Sequence, residues 1–200
     1  MLKVGLTGGL ATGKSFVGRA FAALGCHLIK ADDIGRAVMQ PGGAAFEPIV
    51  REFGQEMLDP DGSIDRKRLA DLVFNDPTRL DALNRLVHPP VIREQDRLLA
   101  EIATRDPGAI AVVEAAVMIE AGTYKRLDKV VLAVCREEQQ VERAIQRGGL
   151  SREEALARIR RQMPLEEKRK VASYVIDTSG SESETLRQVQ AVYNLLRSSE

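Results

Sequence analysis

Short apolar runs alternate along the chain with longer amphipathic stretches. Five of these runs have the length of a buried β-strand and are mostly bounded by Gly, Asp or charged residues. They are Lys3 to Thr7, His27 to Lys30, Ala109 to Glu114, Lys129 to Val134 and Tyr174 to Ile176. Such alternation is typical of a mostly parallel sheet with helices on both faces. The pattern therefore predicts an α/β fold with a doubly wound, five-stranded parallel sheet.

The interval from 33 to 108 is too long for a simple crossover between the second and third predicted strands. Its apolar positions recur at helical spacing: Leu69, Leu72 and Val73, then Leu80, Leu83, Leu86 and Val87. Asp59 to Gly62 reads Asp-Pro-Asp-Gly, a turn by composition, and Ser63 or Asp65 could cap the helix that follows. We expect an inserted helical subdomain in this interval.

Residues 137–173 are predicted to form consecutive charged helices, broken at Gly148-Gly149 and at Pro164. Between 158 and 170, six cationic side chains against Glu166 and Glu167 leave a local charge of +4: Arg158, Arg160, Arg161, Lys168, Arg169 and Lys170. This run is either a solvated helix face with paired charges or a phosphate-binding surface. A last helix starts at Ser181 and carries one apolar side: Leu186, Val189, Val192, Tyr193 and Leu196.

Composition narrows the function classes. The 200 residues carry 29 Lys and Arg against 29 Asp and Glu, which argues against bulk binding of nucleic acid or an anionic membrane. Cys26 and Cys135 form neither a CxxC nor a His-Cys cluster, so we expect buried thiols and no zinc site or disulfide. The N-terminus lacks a signal peptide's apolar length, and the apolar stretch 109–119 is too short to span a bilayer. We expect a cytosolic protein.

Gly8 to Ser15 match the pattern G-x-x-x-x-G-K-[ST] between a predicted strand and a predicted helix. Such a loop aims backbone N–H groups inward, and the helix that follows adds the positive end of its dipole. We expect Lys14 to reach the β and γ phosphates of a nucleotide and Ser15 to ligate Mg²⁺ directly. The predicted ATP-binding loop comprises Ala11, Thr12, Gly13, Lys14, Ser15 and Phe16.

Switches, motors and small-molecule kinases share such a loop, so other residues must discriminate between them. The D-x-x-G at Asp59 to Gly62 lies in a Pro-containing turn, and no guanine-binding [NT]-K-x-D tetrad follows it, which disfavours a GTPase switch. Asp32 follows the second predicted strand, and the carboxyl ends of parallel strands lie at the same edge of the sheet as the phosphate loop. It could accept the proton of an attacking hydroxyl. Alternatively Asp32 or Asp33 caps the next helix, or Asp33 caps it while Asp32 reacts.

Segments in this order resemble the dephospho-CoA kinases nearly end to end. The opening Gly5 to Gly9 with Gly13-Lys14-Ser15 is similar to that family's start, and Ala31-Asp32 with Arg36 to its D-A-D-x-[IL]-x-R segment. The remaining similar segments are Leu86-Val87-His88-Pro89 with Arg93, Glu114 to Glu120, the lid positions Gln140, Arg143, Arg147, Glu154, Ala155, Arg158, Gln162 and Lys168, and the strand Val175-Ile176-Asp177.

The resemblance implies ATP-dependent phosphorylation of the ribose 3′-hydroxyl of dephospho-CoA, the last step of coenzyme A synthesis. It implies a nucleotide-binding core of residues 1–32, 106–136 and 172–200, a helical CoA lobe of residues 33–105 and a lid of residues 137–171. Asp32 becomes the expected base, Arg143 and Arg147 the lid groups at the ATP phosphates, and Asp32, Arg36, His88 and Arg93 the substrate-binding residues. The implied partners are ATP, dephospho-CoA and Mg²⁺, in a monomer or small homo-oligomer without nucleic acid or membrane.

The sequence departs from the family at Ala11, where Gly is usual, so a positive φ there would strain the loop. Phe16 replaces a usual Thr, Lys30 replaces the first Asp of D-A-D, and Ala116-Val117-Met118 replaces Pro-Leu-Leu.

Three alternatives stay open. Glu114 could hold Mg²⁺ through water or cap the next helix. His88, whose following prolines are expected to fix the entry to the next helix, could be structural or could contact substrate. Another small hydroxylated or phosphorylated acceptor, such as a nucleoside or a nucleoside monophosphate, is the alternative substrate.

Overall fold

The computed structural model of the chain describes residues 1–74 and 76–198. Five parallel strands form one sheet in the order β2-β3-β1-β4-β5. Their bounds are β1 Leu2–Gly8, β2 His27–Lys30, β3 Ile110–Glu114, β4 Lys129–Val134 and β5 Tyr174–Asp177. The predicted α/β class and five-stranded sheet are confirmed, with each strand within one residue of its predicted ends.

The central strand β1 pairs with β3 on one side and with β4 on the other, and neither neighbour is adjacent to it in sequence. Leu6 lies beside Glu114 of β3, and Gly8 lies beside Ala133 of β4. In open parallel sheets, ligands bind outside the carboxyl ends of the strands where the strand order reverses. The loop after β1 therefore starts at the edge where a ligand site is expected.

Helices α1 (Lys14–Ala23) and α9 (Glu182–Arg197) pack on the same side of the sheet. Val17 and Phe21 of α1 and Val189, Val192 and Leu196 of α9 form one buried cluster with strand residues such as Val4 and Val131. Leu186, predicted on the apolar side of α9, is exposed, so this part of the prediction is wrong. It lies one turn ahead of the part of α9 that packs on the cluster.

The segment between β3 and β4 contacts the central strand closely. A Cβ on Gly5 would lie 2.5 Å from Met118 Sδ and 2.8 Å from a methyl of Leu127, so a larger residue there would require both side chains to shift. Met118 is itself almost fully buried. Met118, which replaces a usual Leu of the family motif, thus packs directly against β1.

Three helices follow β4: α6 Glu137–Gly148, α7 Arg152–Arg161 and α8 Leu165–Arg169. The helix α6 ends at Gly149, which adopts a left-handed conformation with φ 61°, and Pro164 directly precedes α8. Ser151 starts α7 with a capping box, in which its side chain accepts from Glu154 N and the Glu154 side chain accepts from Ser151 N. The predicted breaks at Gly148-Gly149 and Pro164 are confirmed.

The chain divides into two compact units. Residues 1–30 and 101–200 form the first, here called the sheet unit, and residues 31–100 form the second, called the helical unit. The helical unit contains α2 Ala31–Val38, α3 Phe46–Phe53, α4 Arg66–Phe74 and most of α5 Pro77–Arg105. Asp65 caps α4, since its carboxylate accepts from Arg68 N at 2.9 Å. None of the helices described in the two stretches is long and apolar enough to cross a bilayer.

Pro89 and Pro90 lie inside the 29-residue helix α5. The expectation that these prolines mark the entry to a separate helix is therefore wrong. Proline lacks an N–H, so the carbonyls of Arg85 and Leu86 do not receive the hydrogen bond that the residue four positions later normally donates. The remaining hydrogen bonds of this long helix are enough for it to continue past the two prolines.

Candidate active site

The loop after β1 is built from residues that tolerate close approach. A Cβ on Gly8 would lie 2.8 Å from Ala133 O of the neighbouring strand, and one on Gly13 would lie 3.1 Å from Thr178 Oγ1. Gly13 also has φ 79°, a left-handed conformation that favours glycine, and it is the N-cap of α1. Thr12 is buried, and its hydroxyl donates to Gly9 O at 3.1 Å. These contacts fix the loop as a tight turn leading into α1.

The start of α1 provides backbone donors for an anion. Phe16 N and Val17 N both donate to Gly13 O, at 2.9 and 3.1 Å. Lys14 and Ser15 lie in the first turn, where no helix carbonyl stands one turn earlier, so their N–H groups are available to a ligand. The helix dipole also favours a negative charge at this end. Lys14 and Ser15 thus offer backbone donors at the predicted phosphate site, whereas the N–H of Phe16 donates to Gly13 O.

Glu114 lies at the carboxyl end of β3, directly beside this helix start. The Ser15 hydroxyl donates to Glu114 Oε1 at 2.7 Å, and Lys14 Nζ lies 3.9 Å from the same oxygen. The side chain is only 7% exposed, and its Oε2 is buried with no hydrogen-bond partner among the described residues. Turns follow Glu114 instead of a helix, so the alternative that it caps the next helix is wrong.

A divalent cation fits this arrangement. A hydroxyl and a carboxylate are the hard oxygen ligands that such a cation prefers, and the unpartnered Oε2 of Glu114 is an acceptor that it would satisfy. Within residues 1–74 and 76–198, no group of three or more His, Cys, Asp or Glu side chains converges on a metal site. A cation held by Ser15 and Glu114 would therefore take further ligands from a phosphate or from water.

Arg143 of α6 is tied to the loop through Thr178. Its guanidinium donates to Thr178 Oγ1 at 3.0 Å and to Thr178 O at 2.7 Å, and Thr178 Oγ1 is 2.8 Å from Thr12 O. Arg147, one turn further along α6, is exposed. The structure thus brings Arg143 to the loop and leaves Arg147 on the surface of α6.

The tip of the loop packs against the helices after β4. Leu10 and Ala11 contact a buried cluster formed by Val141, Ala144 and Ala155. Ala11 has φ 53°, so the backbone conformation considered at this departure from the family is present. A residue with a Cβ loses free energy in this left-handed backbone conformation, and the contact of Ala11 with the cluster offsets part of that cost.

Two further residues at the loop were indicated only by their similarity to the family's lid positions. Gln162 Oε1 accepts from Leu10 N at 2.7 Å, and Lys168 Nζ donates to Gly8 O at 3.3 Å. Lys168 was counted among the cationic residues of a helix face, but it is fully buried. Neither residue type indicates such a role, and the similarity to lid positions was the one available signal.

The remaining predicted residues lie in the helical unit. Asp32 is exposed in the first turn of α2, which begins at Ala31, so neither Asp32 nor Asp33 is an N-cap and that alternative is wrong. Asp33 Oδ1 accepts from Arg36 Nη1 at 2.9 Å. Desolvation of the half-buried His88 imidazole lowers its pKa below the usual value, so it is neutral at pH 7.

A pocket of about 560 Å³ lies between α2 and α5. Its wall is mostly apolar on the α2 side and charged on the α5 side, where Arg93, Glu94 and Arg97 line it. Glu94 and Arg97 form an ion pair. The pocket brings Arg93 and Asp33 together, whereas Arg36 and His88 are not among its lining residues.

A parallel sheet in the order 2-3-1-4-5, with a glycine loop and Lys14-Ser15 after its central strand, defines a P-loop kinase fold. The sequence model of the dephospho-CoA kinase family matches residues 2–184. The dephospho-CoA kinase of Aquifex aeolicus is 39% identical over 196 residues, which cover 98% of each chain. The chain therefore belongs to the dephospho-CoA kinase family, and its activity is the kinase reaction that completes coenzyme A biosynthesis.

Solved structures agree with this assignment. A Thermus thermophilus protein superposes with a TM-score of 0.82 at 38% identity, over 98% of this chain and 97% of the other. The dephospho-CoA kinase from Campylobacter jejuni superposes with a TM-score of 0.70 at 28% identity, over 98% of both chains.

Proposed function

We propose that the chain transfers the γ-phosphoryl group of Mg²⁺-ATP from the loop at Lys14 to the ribose 3′-hydroxyl of dephospho-CoA. The observation that carries this proposal is the cluster of Lys14, Ser15 and the buried Glu114 at the start of α1. It joins a mobile cation, a metal-binding hydroxyl and an acceptor with an unpartnered oxygen at one helix N-terminus. Lys14 would offset the charge that develops on the transferred group.

Mg²⁺ would be held by Ser15 directly and by Glu114 directly or through water. When bound, it would neutralise part of the charge on the phosphates of the nucleotide. The hydrogen bond between Ser15 and Glu114 keeps both oxygens at the phosphate end of α1.

Asp32 is the proposed general base. It lies two residues after Lys30, which pairs with Glu114 in the sheet, so the chain leaves β2 at the same edge as the phosphate loop. An exposed carboxylate there can accept the proton of the 3′-hydroxyl while that oxygen bonds to the γ-phosphorus and ADP leaves. Lys30 replaces the other acidic residue of the family motif, so the base role falls to Asp32 alone.

The helical unit is the proposed site of the CoA moiety, with Arg93 in its pocket and Arg36 and His88 on the same unit. Arginine suits the phosphates of that substrate because its planar guanidinium binds them with two hydrogen bonds. Residues 137–171 are the proposed lid. Arg143 would act from its position beside Thr178, and Arg147 would reach the phosphates from the surface of α6.

The substitution Asp32→Asn tests the base. It keeps the side-chain size but removes the proton acceptor, so we expect kcat to fall by about 100-fold or more while ADP still binds with wild-type affinity. Steady-state kinetics and titration calorimetry provide the two readouts. Asp71→Asn, at an exposed position of α4, is the matched control and should leave both values unchanged. Near-wild-type turnover of Asp32→Asn would remove Asp32 as the base.

A panel of acceptors tests the substrate. The chain is incubated with ATP, Mg²⁺ and either dephospho-CoA, a nucleoside or a nucleoside monophosphate, and ADP and phosphorylated product are quantified together. Coenzyme A formed in equal amount to ADP supports the proposal. A phosphorylated nucleoside as the main product would identify the alternative acceptor, and ADP without product would indicate a hydrolytic switch.

A further inference from the structure

Lys168 of α8 is fully buried, and its ammonium group contacts three acceptors from distant parts of the chain. Nζ lies 2.8 Å from Glu120 Oε1, 3.2 Å from Ala116 O and 3.3 Å from Gly8 O. An ammonium group has three N–H donors, so each donor has one acceptor. Lys168 thereby joins α8 to the end of β1 and to the segment after β3.

Stability alone is a weak reason for such an arrangement. Taking the lysine out of water is costly even beside Glu120, whose side chain stays 24% exposed, and well-packed apolar side chains often serve a protein's stability equally well or better. What an apolar side chain cannot do is bind two carbonyl oxygens at fixed positions. Lys168 does so at Gly8 and Ala116, and Gly8 opens the phosphate-binding loop.

Gln162 contacts the loop on the other side of Gly9. Its Oε1 accepts from Leu10 N at 2.7 Å, while Lys168 donates to Gly8 O, so the peptide groups before and after Gly9 are both held. Gln162 lies in the segment between α7 and α8, and Lys168 lies in α8 itself. Met163 N, in the same segment as Gln162, donates to Glu120 Oε1 at 3.3 Å. Gly9 is closely packed as well, because a Cβ there would lie 2.9 Å from Gln140 Oε1 and would require that side chain to move.

These contacts distinguish two parts of the loop, one bound by protein side chains and one open to a ligand. Its first residues, Gly8 to Leu10, have a backbone carbonyl and an N–H engaged by protein side chains. The N–H groups of Lys14 and Ser15, which start α1, are left for a ligand. Phosphate binding by backbone donors depends on their being held in place before the ligand arrives. The contacts of Lys168 and Gln162 therefore fix the part of the chain from which the loop continues to α1.

We propose that Gln162 and Lys168 are positioning residues that hold the phosphate-binding loop in its ATP-binding conformation. They act through Leu10 and Gly8 and need not touch the nucleotide. The inference rests on the proposed assignment of this loop as the ATP-phosphate site. This proposal also gives the segment after β4 a role that is independent of Arg143, because Gln162 and Lys168 hold the backbone of the loop at Leu10 and Gly8.

The test compares two variants with the wild-type chain. Lys168→Met combined with Glu120→Gln removes both charges of the pair, the buried ammonium and its partly exposed carboxylate, keeps similar volumes and leaves an acceptor for Met163 N. Gln162→Met removes the acceptor of Leu10 N at a partly exposed position and does not depend on a buried charge. Lys170→Met, two residues beyond Lys168 but on the surface and paired with Glu167, is the matched control.

We expect the double variant to unfold near the wild-type temperature, and to show an ADP dissociation constant and an ATP KM raised about tenfold. Its KM for dephospho-CoA should stay within about twofold of the wild-type value, since the loop binds ATP only. Gln162→Met should raise the same two ATP-site constants by about threefold or more. A purely structural ion pair would instead leave ADP affinity intact once both charges are removed.

Wild-type ADP affinity in either variant would overturn the inference. If the double variant does not fold, Gln162→Met decides the matter, because its position is partly exposed. A wild-type chain that binds no ADP would contradict the proposed function and this inference with it. Binding by the wild-type chain with unchanged variants contradicts the inference alone.

Discussion

Among residues 1–74 and 76–198, Ala11 is the one non-glycine residue with a positive φ. A left-handed conformation costs a residue with a Cβ about 1–2 kcal/mol. The methyl of Ala11 packs on the cluster around Val141 and Ala144, and burying a methyl returns about 0.8 kcal/mol. Strain and packing are therefore close in size at this point of the loop, which explains how a departure from the family's glycine is tolerated.

Ala11→Gly and Ala11→Val should separate these two effects. We expect Ala11→Gly to change the free energy of unfolding by less than about 1 kcal/mol, since the relief of strain and the lost methyl contact oppose each other. Ala11→Val should lower it by about 2 kcal/mol, because β-branched residues are poorly tolerated at positive φ.

Urea denaturation measures both values. The control is Ala22→Val, on the exposed side of α1, which should cost less than about 1 kcal/mol. A fully stable Ala11→Val would show that the loop does not need a positive φ at this position.

Residue identity was informative where the chemistry is local. The Gly8 to Ser15 pattern predicted the loop and its helix, because glycine spacing and a following Lys-Ser pair work within one turn of chain. The burial of Lys168 could not be read from the local pattern, which left its cationic run open between a solvated face and a phosphate-binding surface, since that burial depends on carbonyls 52 and 160 residues away.

At the scale of elements, α9 shows how packing selects among apolar residues. Leu186 and Leu196 both belong to its apolar pattern, but Leu186 is 47% exposed and Leu196 is fully buried in the cluster with α1 and the sheet. The pattern predicted the helix and its general face. Which end of that face meets the sheet depends on where α9 crosses it.

The same substitution at these two positions should have different costs. We expect Leu196→Ala to lower the free energy of unfolding by about 3 kcal/mol, because it removes buried methyl groups and leaves a cavity. Leu186→Ala on the same helix should cost less than about 1 kcal/mol. Urea denaturation followed by circular dichroism gives both numbers. Equal losses would contradict the packing of α9 described above.

In helix α5 the sequence predicted a boundary that the structure does not have. Two consecutive prolines predicted a boundary, because proline breaks a helix when local hydrogen bonding decides. In a 29-residue helix, most of the remaining turns are unaffected, so the element continues. Length and packing together override the local signal.

At the scale of the whole molecule, the chain comprises a sheet unit and a helical unit, and the proposed function gives each its own ligand. Hydrogen exchange measured by mass spectrometry can assign these ligands directly. We expect ADP with Mg²⁺ to slow exchange in residues 9–16 and 137–169, where the loop and the helices after β4 contact each other. Dephospho-CoA alone should slow exchange within residues 31–100.

Coenzyme A precursors lacking the ribose, such as phosphopantetheine, serve as the control for that assignment. They should protect the helical unit less, because they lack the nucleotide part of the substrate. Protection by dephospho-CoA confined to residues 9–16 would contradict the proposed role of the helical unit.

The sequence by itself determined the strands, the α/β class and the loop at Lys14, because each depends on periodicity or on spacing within a few residues. Tertiary structure alone decided that Glu114 meets Ser15, that Arg143 is held by Thr178, and that Lys168 is buried behind Gly8. Those pairs come from strands and helices far apart in the chain. Their contacts exist only once the sheet order has brought the carboxyl ends of β1, β3 and β4 to one edge.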